Sequence, residues 1–182
     1  MKKLIIIAGV VIAIIALAFV GLRIYTKQFS PQDTVSYSRD NVEINVSYSR
    51  PFKKGRDVFG GLVPYGETWR TGANEATVFT TTADLNIKGK VLPAGSYSLF
   101  TVPTENTWKV IFNSQTGQWG VNFSGEVNKS DEQDVLTVEA GTVNSPDVFE
   151  QFTISFEQMG EEIEMILMWD QTLVVVPMTV AE

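Results

Sequence analysis

Val42-Glu43-Ile44-Asn45-Val46-Ser47-Tyr48-Ser49 alternates apolar and polar residues at every step. Successive side chains of a strand point to opposite faces, so this octet lays Val42, Ile44, Val46 and Tyr48 on one buried face. Upstream, Ser38-Arg39-Asp40-Asn41 supplies turn residues that join it to an earlier strand near residues 35–37. Downstream, strand-like stretches return at 76–82, 85–87, 91–92, 96–102 and 108–112. They resume at 135–140, in Phe152/Ile154/Phe156, in Ile163/Met165/Leu167/Trp169 and at 173–180. Lys88-Gly89-Lys90 closes a short hairpin, and Pro93-Ala94-Gly95 a tight turn in which proline pre-sets φ. Val174-Val175-Val176 is apolar on both faces and predicts a well-buried strand, after which Pro177 demands a bulge or an edge. About ten short strands with frequent turns predict an all-β antiparallel sandwich or partly closed barrel.

The N-terminus follows a different rule. Leu4–Leu22 is nineteen residues without a charge or a hydrogen-bonding side chain. As a helix it spans about 28 Å, close to the roughly 30 Å hydrocarbon core of a bilayer. The expected organisation is a membrane anchor and short linker over 1–30, then a β-sandwich domain over 31–182. A cleavable signal competes, because Ala16-Leu17-Ala18 resembles a small-residue cleavage site. Cleavage there would leave Phe19, Val20 and Leu22 on the new terminus, so an uncleaved transmembrane helix is the expectation and secretion after cleavage the alternative. Lys2 and Lys3, with a free terminal amine, oppose Arg23 and Lys27, a slight bias that leads to the expectation of a cytoplasmic N-terminus and a periplasmic or extracellular body. Gly9 and Ala13 form a small-xxx-small pair that an Ala-rich span produces by composition.

The chain contains no Cys and no His. That removes disulfides, thiolate and imidazole metal ligands, Cys nucleophiles and every triad with a His base. No cofactor, metal site or catalytic residue is assigned. The net charge is −7, but four of the 14 basic residues flank the apolar run. The body therefore sets 10 basic residues against all 21 acidic ones, a net charge of −11. Such a body is a poor partner for nucleic acid. Asp131-Glu132-Gln133-Asp134 lacks the Gly-turned spacing of a calcium loop and reads as a solvated acidic turn. Trp108 and Trp169 fall on predicted strands and read as core.

The candidate site is the long irregular stretch Arg50–Glu75, RPFKKGRDVFGGLVPYGETWRTGANE. Loops of this length in compact domains are usually functional or disordered, and the apolar anchors Phe59, Leu62, Val63 and Trp69 argue for order. Arg50, Arg56 and Arg70 offer planar donor forks, with Asp57, Glu67 and Glu75 as carboxylate partners. Tyr65, Thr71 and Asn74 add neutral hydrogen-bonding groups, and Gly72 permits positive φ before the next strand. Lys53-Lys54-Gly55-Arg56 reads as a solvated turn. One reading is an Arg-lined pocket for a carboxylate, phosphate or sugar, walled by Trp69, Trp119 or Tyr97. The other is an Arg–carboxylate network that pins the loop, with Arg70 buried against Glu75 or Asp57. Only unfilled donors beside a cleft separate the two.

Several motifs carry a resemblance. Tyr48-Ser49-Arg50-Pro51, Gly55-Arg56, Phe59-Gly60-Gly61-Leu62-Val63-Pro64-Tyr65-Gly66 and Trp69-Arg70-Thr71-Gly72-Ala73-Asn74-Glu75-Ala76 belong to it. Leu92-Pro93-Ala94-Gly95-Ser96-Tyr97-Ser98-Leu99-Phe100 and Gln118-Trp119-Gly120 complete the set. Over roughly 31–180 the chain resembles the bacterial family catalogued as domain of unknown function 2911. The resemblance implies an exported bacterial β-domain and no assigned activity. The expected function is a membrane-tethered extracytoplasmic binding or interaction module. Its expected partners are the membrane, through Leu4–Leu22, and a small anionic or sugar ligand near Arg50–Glu75. The alternatives are a glycosidase-like hydrolase using carboxylates such as Glu67 and Glu75, or a purely structural envelope protein.

Overall fold

A computed structural model describes residues 2–122 and 124–181. Helix α1 (Lys2–Phe29) is apolar around its circumference and buries none of its residues. It is long and apolar enough to cross a membrane or to serve as a signal sequence. Among the described residues nine strands follow, each paired antiparallel to its neighbours. They are β1 (Gln32–Arg39), β2 (Val42–Ser49), β3 (Thr77–Thr81), β4 (Leu85–Ile87) and β5 (Lys90–Leu92), then β6 (Gly95–Pro103), β7 (Thr107–Asn113), β8 (Asp134–Met159) and β9 (Glu162–Val180). The sheet order is β1-β2-β3-β6-β7-β8-β9-β4-β5.

The octet behaves as its alternation predicts. Val42, Ile44, Val46 and Tyr48 are 8, 0, 0 and 3% exposed. Asp40 and Asn41 form the two-residue turn before it, both with positive φ (49° and 68°), the geometry that matches strand twist in a tight hairpin. The expected count of about ten strands falls to nine because β8 and β9 run through positions that read as breaks. Ser145-Pro146-Asp147 lies within β8, where the register to β9 shifts between Asn144 and Phe149 and again before Thr153. Bulges there absorb a proline that has no N–H to give to a ladder. Asp170, opposite Phe149, takes φ 55° on the partner strand. Further along β9, the ladder to β8 ends at Val174 and the ladder to β4 begins at Met178, leaving Pro177 between them.

The first part of β8 pairs with β7 and the remainder with β9, so the sheet turns a corner within this strand. The bend brings β1 and β2 against the far half of β8. Tyr37 meets Phe156 at 6.2 Å and Tyr48 meets Phe152 at 5.7 Å between ring centroids. The Tyr48 hydroxyl also accepts from the Ile154 N–H at 2.9 Å. The sheet is not closed into a barrel, and β1 and β5 remain its outer strands. Its core holds Phe79, Leu99, Phe112, Trp108, Phe152 and Trp169. Asp131–Gln133 forms a 3-10 turn, and Lys129 Nζ bonds both Asp131 (2.6 Å) and Asp134 (2.7 Å).

Candidate functional site

The segment between β2 and β3 is ordered by its own apolar side chains. Val58 and Val63 are buried, and Phe59 and Trp69 enter an aromatic cluster with Trp108, Phe152 and Trp169. Trp69 stacks on Trp169 at 5.9 Å. Its backbone exchanges two hydrogen bonds with Thr101 of β6, at 2.7 and 2.9 Å. That bridge fixes Arg70, the next residue.

Beyond Arg70 the backbone is strained. Thr71 is buried with φ 53°, a conformation that costs a β-branched residue on the order of 1–3 kcal/mol. The Thr77 hydroxyl holds it by donating to the Thr71 carbonyl at 2.6 Å, and the Thr71 and Thr101 hydroxyls bond at 3.2 Å. Gly72 follows with φ 152°, where a Cβ would stand 2.9 Å from the Ser49 carbonyl oxygen.

A cavity of about 630 Å³ opens along this segment. Val63, Trp69, Trp169, Val121 and Val127 form apolar wall, and Phe29 and Ser30 also line it. Lys54, Arg56, Arg70 and Glu67 are its charged lining.

The three arginines differ. Arg50 is used up structurally: it donates to Asp33 Oδ2 (2.9 Å), the Phe152 carbonyl (3.1 Å) and Thr153 Oγ1 (2.7 Å). Arg56 donates to the carbonyls of Lys53 (3.0 Å) and Phe52 (2.6 Å), which closes the turn that carries it. Arg70 is half-buried, its Nη1 is enclosed, and that nitrogen has no hydrogen-bond partner among the described residues. Burial pushes its guanidinium pKa down, and the nearby Glu75 opposes that shift. Its side-chain stem lies against Gly120, where φ is 87° and a Cβ would come within 2.8 Å of Arg70 Cβ.

The expected pairing of Arg70 with Glu75 or Asp57 does not form among the described residues. Glu75 Oε1 is taken by Arg23 Nη2 at 2.6 Å and Lys27 Nζ at 3.3 Å, both from α1. Burial would raise the Glu75 pKa, but hydrogen bonds from its own backbone N–H, Arg23 and Lys27 outweigh it, and the pKa falls.

Of the eight candidate residues, Arg56, Trp69 and Arg70 line the cavity. Asn74 is buried and donates to the Ser30 carbonyl (3.2 Å) and Ser49 Oγ (3.4 Å), tying the loop to the end of α1. Tyr65 is exposed, with its ring over Gly60. Trp119 lies in a separate groove beside α1. Tyr97 is buried, and its hydroxyl donates to the Pro93 carbonyl at 2.7 Å. Trp108 and Trp169 are both buried. Glu67 lines the cavity whereas Glu75 turns to α1.

Sequence reasoning passed over Lys54 as part of a solvated turn. Its ammonium sits 4.6 Å from the centroid of the Phe29 ring, at the cavity edge. Nothing local to Lys54 signals this, because Phe29 belongs to the linker after the apolar run.

A family model described as Protein of unknown function (DUF2911) matches residues 30–178. No curated protein and no solved structure matches the chain.

Proposed function

The chain belongs to the DUF2911 family, and from that premise and its cavity we propose a membrane-tethered, extracytoplasmic module that binds a small anion at Arg70. The ligand is a carboxylate or phosphate on a body of sugar size. The observation that carries this reading is Arg70 Nη1, an enclosed cationic donor beside a cavity and without a partner among the described residues. An unmet buried donor costs about 1–3 kcal/mol, more when it is charged, and a bound anion would remove that cost.

Charge supports the same reading. The body carries −11, yet the cavity lining sets three cations against one carboxylate. That local reversal favours an anionic ligand over a cationic one. A volume of about 630 Å³ suits a small molecule. The tether is α1, long and apolar enough to cross a membrane, and the slight N-terminal charge bias favours a body on the outside. A carboxylate hydrolase fits less well. A general acid needs a raised pKa, whereas that of Glu75 is lowered and its Oε1 is held by two cations of α1.

Calorimetric titration of the full chain in detergent, with inorganic phosphate and separately with glucuronate, tests the proposal. Saturable binding of at least one, abolished by Arg70→Met and retained by Arg56→Lys, is expected. Equal binding by wild type and Arg70→Met, or no binding of either probe, would overturn it.

A further inference from the structure

A second groove, of about 530 Å³, lies between α1 and the body. One wall is α1, with Phe19 and Leu22 beside Arg23 and Thr26, and the other is Trp119, Val121, Asn122 and Asn128. Trp119 is 36% exposed, while Trp108 and Trp169 are buried and Trp69 is stacked in the core. Of the four Trp, Trp119 is therefore the one presented at the surface.

Phe19 and Leu22 belong to the apolar run, and Leu22 is its last residue. Phe19 stands about 4.5 Å deeper along the helix at 1.5 Å per residue. A bilayer that covers Leu4–Leu22 therefore reaches the level of the groove, and the far wall cannot stay clear of it unless Phe19 and Leu22 are drawn into water. The body is held in this position by Arg23 and Lys27 on Glu75, by Lys27 on Gln32 (3.1 Å) and by Asn74 on the Ser30 carbonyl. Trp suits that depth, since its ring packs on acyl chain while its N–H reaches the headgroups. Asn122 and Asn128 place polar groups beside it. The nearby carboxylate Glu126 is occupied by the Asn122 amide at 2.9 Å.

We propose that the stretch bearing Trp119 and Val121 docks on the bilayer that α1 crosses, and that lipid at the interface fills this groove. The inference rests on the membrane-spanning reading of α1 and adds a second point of contact. Val121 also lines the Arg70 cavity, so the docked body holds that cavity beside the headgroup layer.

The test uses the full chain in nanodiscs of phosphatidylcholine brominated either near the headgroup end or near the tail end of its acyl chains. The apolar run contains no Trp, so quenching reports on the body. Shallow bromine should quench part of the Trp emission more strongly than deep bromine, and Trp119→Phe, melting like wild type, should remove the quenched part. Alkaline carbonate extraction of the same chain from vesicles separates the two readings. A chain that resists extraction but shows no shallow quenching, or the same quenching in Trp119→Phe, overturns the docking proposal alone. A chain released by carbonate overturns the spanning helix and docking with it.

Discussion

Arg50, Arg56 and Arg70 share one loop and have three different fates, decided by which oxygens lie within reach. Arg50 spans a carboxylate, a carbonyl and a hydroxyl. Hydrogen bonds to a charged group contribute about 1.5–3 kcal/mol in favourable cases, so Arg50→Ala should lower stability by roughly that amount in urea denaturation. A loss under about 0.5 kcal/mol would show that these contacts are not formed in solution. Gly120 touches the Arg70 stem and occupies left-handed backbone. Gly120→Ala should therefore both destabilise the protein and weaken phosphate binding, read from a melt and a titration of one sample. Unchanged binding would mean that Gly120 does not position Arg70. The three arginines were legible in the sequence as a donor cluster. Their partners were not, because the ligands of Glu75 come from α1, and Arg23 lies 52 residues upstream. Three nearby carboxylates gave the sequence no means of choosing.

The elements show where local pattern succeeds and fails. Strict alternation in β2 sufficed to place four side chains in the core. Between residue 140 and Phe152 the alternation lapses, and Ser145-Pro146-Asp147 suits a turn or a bulge alike, because both use residues that leave a ladder. The choice between them is made by β9 running alongside, a contact that no local window contains. The seam between α1 and the body is likewise non-local, and it titrates. The folded pKa of Glu75 lies below its ordinary 4.5. Its contribution is therefore fully present above pH 4.5 and is lost as the pH falls through the lower folded value. Glu75→Gln should melt below wild type at neutral pH, and the difference should shrink as the pH drops beneath 4.5. A difference that grows on acidification would contradict the assigned sign.

The whole molecule combines an apolar helix, an acidic β-body and a cationic cavity where they meet. The helix and the acidity were plain from composition, and the antiparallel class from strand period. The meeting point was not, because it needs the end of α1, the Arg50–Glu75 loop and the Trp119 stretch brought together by the fold. In the proposed function Arg70 serves a ligand and does not hold the fold. Removing a half-buried charge that has no ion-pair partner strands no second charge, whereas breaking a buried pair costs about 3–5 kcal/mol. The direct measurement is chemical denaturation of full-length wild type and Arg70→Met, each with and without inorganic phosphate. Without phosphate, Arg70→Met should lose less than about 1 kcal/mol or gain stability. Phosphate should raise the wild-type midpoint and leave that of Arg70→Met unmoved. A loss of several kcal/mol in phosphate-free Arg70→Met, with no phosphate effect on wild type, would show that Arg70 is structural and contradict the claim.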